Sequence, residues 1–191
     1  MRGSDPPDLA AIVCMLPAPR GSTSSSGTDN VTYGDIVAQE GNKLELAEDW
    51  YRRALAIRER LGFERDAATD YHQLGIVAHK RNQLELADEW YRKALESSER
   101  LGYPSLKVYT LAQFALLCRQ RGNLEAMLIA FVAAWRTAVD YRMPIAQRIV
   151  GDLRQFRTQL GAVAFADLWR SVINNQEDLL GAIEKSDSGP R

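Results

Sequence analysis

The chain has 191 residues, 46% of them hydrophobic and 26% charged, with 24 Lys and Arg against 25 Asp and Glu. That content suits one folded unit or one short repeat array, and the near-zero net charge lacks the electrostatic excess of a protein that works directly on nucleic acid or anionic membrane. No apolar run approaches the roughly 18–20 residues of a membrane helix, and Cys14 and Cys118 stand far apart without ligand-like spacing to either histidine, so both read as free thiols in a reducing, cytoplasmic setting.

Residues 1–30 are rich in Pro, Gly and Ser with no sustained apolar period, and read as a disordered N-terminal arm. Its apolar stretch, residues 9–16, follows Asp5, Pro6, Pro7 and Asp8 with only Arg2 as positive charge, a poor fit to a secretory signal.

From Val31 the chain turns to dense helical periodicity. Shifting it by 40 pairs residues 41–62 with 81–102, and 14 of those 22 positions are identical; "NKLELAEDWYRRAL" answers "NQLELADEWYRKAL". A looser third copy places Arg121, Leu124, Phe131 and Ala134 after Arg81, Leu84, Tyr91 and Ala94, and Pro104 and Pro144 keep the same spacing, each where a first helical turn tolerates proline. The units predicted are 31–66, 67–103 and 104–141. Each reads as two helices: in the second, Tyr71, Leu74, Val77 and Ala78 form one stripe, and Leu84, Ala87, Tyr91, Ala94, Ser98 and Leu101 the next. Asn42 before Glu45 and Asn82 before Glu85 suggest helix N-caps, and Gly102 a left-handed helix end.

One half-unit departs from the pattern. "VTYGDIVAQEG" puts Gly34 and Asp35 where the second unit has Leu74 and Gly75, which predicts a frayed first helix. Beyond Val139 three more helices are expected: Ile145, Ile149, Leu153, Phe156 and Leu160 on one, Phe165, Trp169, Val172 and Ile173 on the second, and Leu179, Leu180 and Ile183 on a short third. A repeat array must cover its last apolar face, so residues 142–185 read as capping helices and 186–191 as a disordered tail.

The segments Tyr71-x2-Leu74-Gly75-x2-Ala78, Ala87-x3-Tyr91, Leu111-x2-Phe114-Ala115-x2-Cys118, Met127-x3-Phe131 and Ala47-x3-Tyr51 resemble the tetratricopeptide repeat. The 40-residue period is similar to the longer-helix subtype of kinesin light chains and of arrays attached to bacterial signal-transduction ATPases. The resemblance implies an all-α, right-handed solenoid of antiparallel helix pairs that binds proteins or peptides without catalysing a reaction. The small side chains at Gly75 and Ala87 would let paired helices approach, and the Tyr91 ring would fill the space between them.

Chemistry-bearing patterns are weak by comparison. His72 and His79 share a helix face, but two turns separate them by about 10 Å, too far for one shared zinc. Glu45, Glu48, Asp49, Glu85, Asp88 and Glu89 recur at repeat positions, as a solvated face does and a catalytic pair need not. Trp50 and Trp90 read as inter-helix packing. No phosphate-cradling loop or nucleophile motif occurs, so neither enzyme activity nor a cofactor is expected.

The remaining candidate is the concave wall built from the first helix of each unit. With Tyr71, Leu74 and Ala78 facing the partner helix, Thr69, His72, Gln73, Ile76 and His79 point into the groove, joined by Tyr109, Ala112, Gln113, Leu116 and Arg119 from the third unit. The first unit adds Thr32, Tyr33, Ile36 and Gln39. Gln73 and Gln113 recur in register, as an amide ladder for a peptide backbone would. Ile76 and Leu116 fall where carboxylate-clamping arrays carry Asn, which disfavours that use. The expected partner is a protein or peptide. The alternatives are a sensor fragment of a larger ATPase or transcriptional regulator, and a module that self-assembles into homo-oligomers through its terminal helices.

Overall fold

The computed structural model describes residues 44–173 and 177–184. The expected arm (1–30), the first helix of the first unit with Gly34 and Asp35, Cys14 and the tail (186–191) lie outside the described residues. Eight helices follow one another and no strand occurs among the described residues: α1 (Leu44–Leu61), α2 (Glu64–Lys80), α3 (Leu84–Arg100), α4 (Pro104–Gln120), α5 (Leu124–Asp140), α6 (Ile145–Leu160), α7 (Ala162–Val172) and α8 (Glu177–Glu184).

The turns set the period. One residue in each of five successive turns has positive φ, and these fall every twenty positions: Gly62 (74°), Asn82 (59°), Gly102 (56°), Gly122 (74°) and Arg142 (52°). The N–H of the next residue reaches back five positions to a helix carbonyl each time, as from Phe63 to Arg58 (2.9 Å), Gln83 to Ala78 (2.9 Å) and Tyr103 to Ser98 (2.8 Å). This satisfies carbonyls that the helix end would leave orphaned. Helices α2 to α5 are 17 residues each, so a helix and its three-residue turn make half a unit.

Asn82 corrects an expectation. It does not cap α3; Gln83 precedes that helix and makes no side-chain cap bond. Asn82 occupies the left-handed turn position that Gly122 fills one unit later, because Asn tolerates that conformation better than other residues with a Cβ. Its side-chain oxygen accepts from Gln120 Nε2 at 2.8 Å. In the third unit the glycine comes one residue earlier than the cap, and Asn123 accepts from the Ala126 N–H at 3.0 Å.

Helices pair as α2 with α3 and α4 with α5, while α1 packs on α2, α3 on α4, and α5 on α6. The first helices α2 and α4 also touch directly, which forms a continuous inner side. Ala47, Tyr51 and Leu55 of α1 bury against Ala67, Leu74 and Val77 of α2. Ala78, Ala87, Tyr91 and Leu117 form the next core. The largest core runs from Val108 to Ile183 and joins the third unit to α6, α7 and α8. Trp90 stacks on Tyr71 with ring centroids 5.9 Å apart.

Charge joins the units as well. Arg81 in the α2–α3 turn bonds Glu48 and lies 3.4 Å from Glu45 of α1; 40 residues on, Arg121 lies 3.3 Å from Glu85 and 3.5 Å from Asp88 of α3. The carboxylates therefore do not form one uniform solvated face. Glu45 and Glu85 remain exposed, whereas the side chains of Glu48 and Asp88 are 18% exposed, each paired with an arginine of its own helix, Arg52 or Arg92, and with one from the next unit's turn. A second feature absent from the sequence reading is the buried pair of Arg58 on α1 and Asp70 on α2.

Pairing changes after α6. A single residue, Gly161, separates α6 from α7 with φ 91°. Helix α7 packs on both α5 and α6, and α8 returns to α6. Phe165 meets Phe156 edge-on at 6.1 Å and Trp169 at 5.7 Å, while Leu179 and Ile183 are buried.

Candidate functional site

Two neighbouring depressions lie along the inner side, and Tyr109 borders both. The first, about 310 Å³, lies between α2 and α4. Thr69, His72 and Gln73 come from α2, Ser105, Leu106 and Tyr109 from α4, and Tyr103 from the turn before α4. The second, about 50 Å³, is lined by Tyr109, Ala112, Gln113 and Leu116 of α4, with Phe131 of α5 and Ile145, Arg148, Ile149 and Asp152 of α6.

The helical period explains the first wall. His72 and Gln73 follow Thr69 by three and four positions, which brings both beside it on the α2 side that lines the depression with α4. His72 is 8% exposed and Gln73 7% exposed, yet both line the depression. Tyr109 is 51% exposed and Leu116 38% exposed. Thr110, fully buried on α4, bonds His72 Nδ1 at 3.0 Å and so ties the two first helices together. Burial lowers the His72 imidazole to about 4, so it is neutral at physiological pH.

The other expected residues separate from these depressions. Ile76 is half-buried against the core of Tyr91 and Leu117. His79 Nε2 lies 2.7 Å from Gln120 Oε1, and Arg119 donates to Gln159 Oε1 at 2.6 Å and sits over the Phe156 ring. These three residues connect successive units. Thr32, Tyr33, Ile36 and Gln39 lie outside the described residues. Among the described residues no group of three or more His, Cys, Asp or Glu is placed to hold a metal, and no helix is long and apolar enough to cross a membrane.

Tyr103, Ser105, Leu106, Arg148 and Asp152 were missed as lining residues. The signal for the last two was present: Pro144 repeats Pro104, and a shift of 40 carries Val108 and Ala112 of α4 onto Arg148 and Asp152 of α6. Helix α6 thus continues the inner wall while its apolar stripe belongs to the terminal core.

The helix pairs, the five equally spaced turns and the small-to-large fit of Gly75 with Tyr91 define the repeat geometrically. The family model of the tetratricopeptide repeat matches residues 28–100. That stretch is similar to tetratricopeptide-repeat sequence. No curated protein matches the chain. The all-α architecture is that of a tetratricopeptide solenoid, with α2–α3 forming a full helix pair inside the matched stretch and α4–α5 repeating its geometry beyond it. Tetratricopeptide repeats generally mediate protein–protein interaction, and the two depressions here lie along the inner helices α2, α4 and α6.

Proposed function

We propose that this chain is a non-enzymatic protein-binding scaffold whose inner helix face takes an extended peptide segment of a partner protein. The observation that carries the reading is Gln73: its amide is nearly buried, lines the larger depression and has no hydrogen-bond partner among the described residues. Such an amide offers one acceptor and two donor hydrogens to a peptide backbone, with the exposed Tyr109 beside it to cover apolar side chains. Gln113 stands in the equivalent place in the next depression. The 20-residue spacing of the turns keeps the 40-residue unit, which supports the longer-helix subtype similar to kinesin light chains.

The test compares proteins retained from native extract by the wild-type chain and by the Gln73→Ala, Tyr109→Ala double variant. A partner held by the first should be lost by the second, with helicity and thermal midpoint unchanged. Equal retention of that partner by both would overturn the reading.

A further inference from the structure

The larger depression has a fixed hydrogen-bonding polarity that specifies what it accepts. Thr110 Oγ1 lies 2.7 Å from the Leu106 carbonyl oxygen and 3.0 Å from His72 Nδ1. Two oxygens at that distance need a proton between them, and the carbonyl has none, so the hydroxyl donates to Leu106. Nδ1 must then carry the ring proton and donate to Thr110. A neutral imidazole protonated there has its lone pair on Nε2. That nitrogen has no protein partner among the described residues, and it is absent from the fully buried unpaired atoms. It therefore meets solvent through the depression that His72 lines.

The neighbouring hydroxyl is committed the same way. Thr69 Oγ1 donates to the Arg65 carbonyl at 3.1 Å and leaves only lone pairs for a ligand. Gln73, Ser105 and Tyr109 can turn either way, and no Lys, Arg, Asp or Glu lines the site. Rings or alkyl groups of Tyr103, Leu106 and Tyr109 supply the apolar walls. An anionic group would meet the lone pairs of Thr69 and His72 with no cation in the lining; the Arg65 guanidinium lies over the Tyr103 ring and does not line the depression, and the imidazole resists protonation.

We infer that this depression is a specificity pocket for a neutral aromatic hydrogen-bond donor, the side chain of a Trp or Tyr in the bound peptide, with His72 Nε2 accepting its N–H or O–H. The inference rests on the groove reading and names the chemistry of its ligand. A volume of about 310 Å³ admits such a ring, and the tyrosine walls offer it offset or edge contacts.

The experiment uses the full chain labelled with nitrogen-15 and has two parts. In the free protein, the His72 ring signals should show a protonated Nδ1 and a lone pair on Nε2, unchanged down to pH 5; protonation at Nε2 instead would overturn the inference. Then indole, N-methylindole and benzoate are added at millimolar concentration. Indole should move the His72 Nε2 signal, N-methylindole should bind about tenfold more weakly for want of the one hydrogen bond, and benzoate should leave the signal in place. Equal binding of indole and its N-methyl form, or no binding of indole, would also overturn it. If partner capture still depends on Gln73 and Tyr109 in that case, the groove reading stands and only the pocket chemistry fails.

Discussion

A Cβ placed on Gly75 would lie 2.5 Å from both Cδ1 and Cε1 of Tyr91, so the α2 backbone and the α3 ring occupy adjoining space with no room for a methyl group. Tyr91 is fully buried and cannot swing into solvent without opening the core of Ala78, Ala87 and Leu117. Gly75→Ala gains about 1 kcal/mol of helix propensity but overpacks the joint by about 1–3 kcal/mol. The expected net effect is a loss of about 1 kcal/mol by urea titration. Gly151→Ala on α6 is the control: its Cβ meets nothing within 4 Å, so it should gain up to about 1 kcal/mol. A gain at both positions would show that the Tyr91 joint yields freely.

The same ring carries a hydroxyl that the fold leaves alone. Tyr91 Oη is buried with no hydrogen-bond partner among the described residues, and burial pushes its ionisation well above the usual tyrosine range. Removing an unsatisfied buried polar atom while keeping the ring avoids a desolvation penalty of about 1–3 kcal/mol. Tyr91→Phe should therefore be neutral or stabilising. A marked fall in its thermal midpoint would mean that an ordered water or another group satisfies the hydroxyl.

The contrast between these residues and the inner wall shows what a single sequence reveals. Ala47, Ala87, Tyr51 and Tyr91 recur 40 residues apart because every helix pair needs the same small and large side chains in the same register, so the scaffold repeats in the letters. Thr69, His72, Gln73, Tyr109 and Gln113 were legible because a 3.6-residue period places them opposite the packed stripe. The bond from His72 to Thr110 spans 38 positions and depends on how two units stack, which no local period encodes. Ser105 and Leu106 read as ordinary first-turn residues of α4, and only the neighbouring α2 turns them into a wall. Arg58 and Asp70 were hidden for a further reason: each looks like a surface charge in its own helix, and only the joining of α1 to α2 buries them.

That buried pair predicts an unusual response to pH. Asp70 is fully buried, its Oδ2 has no partner among the described residues, and burial raises its carboxyl to about 6 against the pull of Arg58. An unfolded aspartate titrates near 4, at about 3.9. Between those values the folded state binds more protons than the unfolded state, so this group's contribution to stability grows as pH falls from about 6 toward 4 and is lost as pH rises through about 6. The full swing is on the order of 3 kcal/mol. Other carboxylates add their own pH dependence, so the measurement is a difference: urea stability of wild type and Asp70→Asn from pH 4 to pH 7. The wild type should gain on acidification relative to the variant, and parallel curves would show that Asp70 stays ionised throughout.

The turn period leads to the last prediction. Arg142 stands where Gly62 and Gly102 stand in the earlier units, with φ 52°, and it is exposed. Its side chain makes no hydrogen bond or ion pair among the described residues. The left-handed conformation costs a residue with a Cβ about 1–2 kcal/mol, whereas glycine adopts it without that steric cost and gives back part of the gain through the greater freedom of its unfolded chain, about 0.4–1 kcal/mol. Arg142→Gly should thus raise stability by about 0.5–1 kcal/mol. Gly102→Arg, the reverse exchange one unit earlier, should lower stability by a similar amount, since a Cβ there meets no neighbour and only the backbone conformation opposes it. Paired thermal unfolding of the two variants decides the matter: shifts of the same sign would show that these turns relax their backbone to suit the residue, and opposite shifts that the fold imposes one left-handed residue every twenty positions.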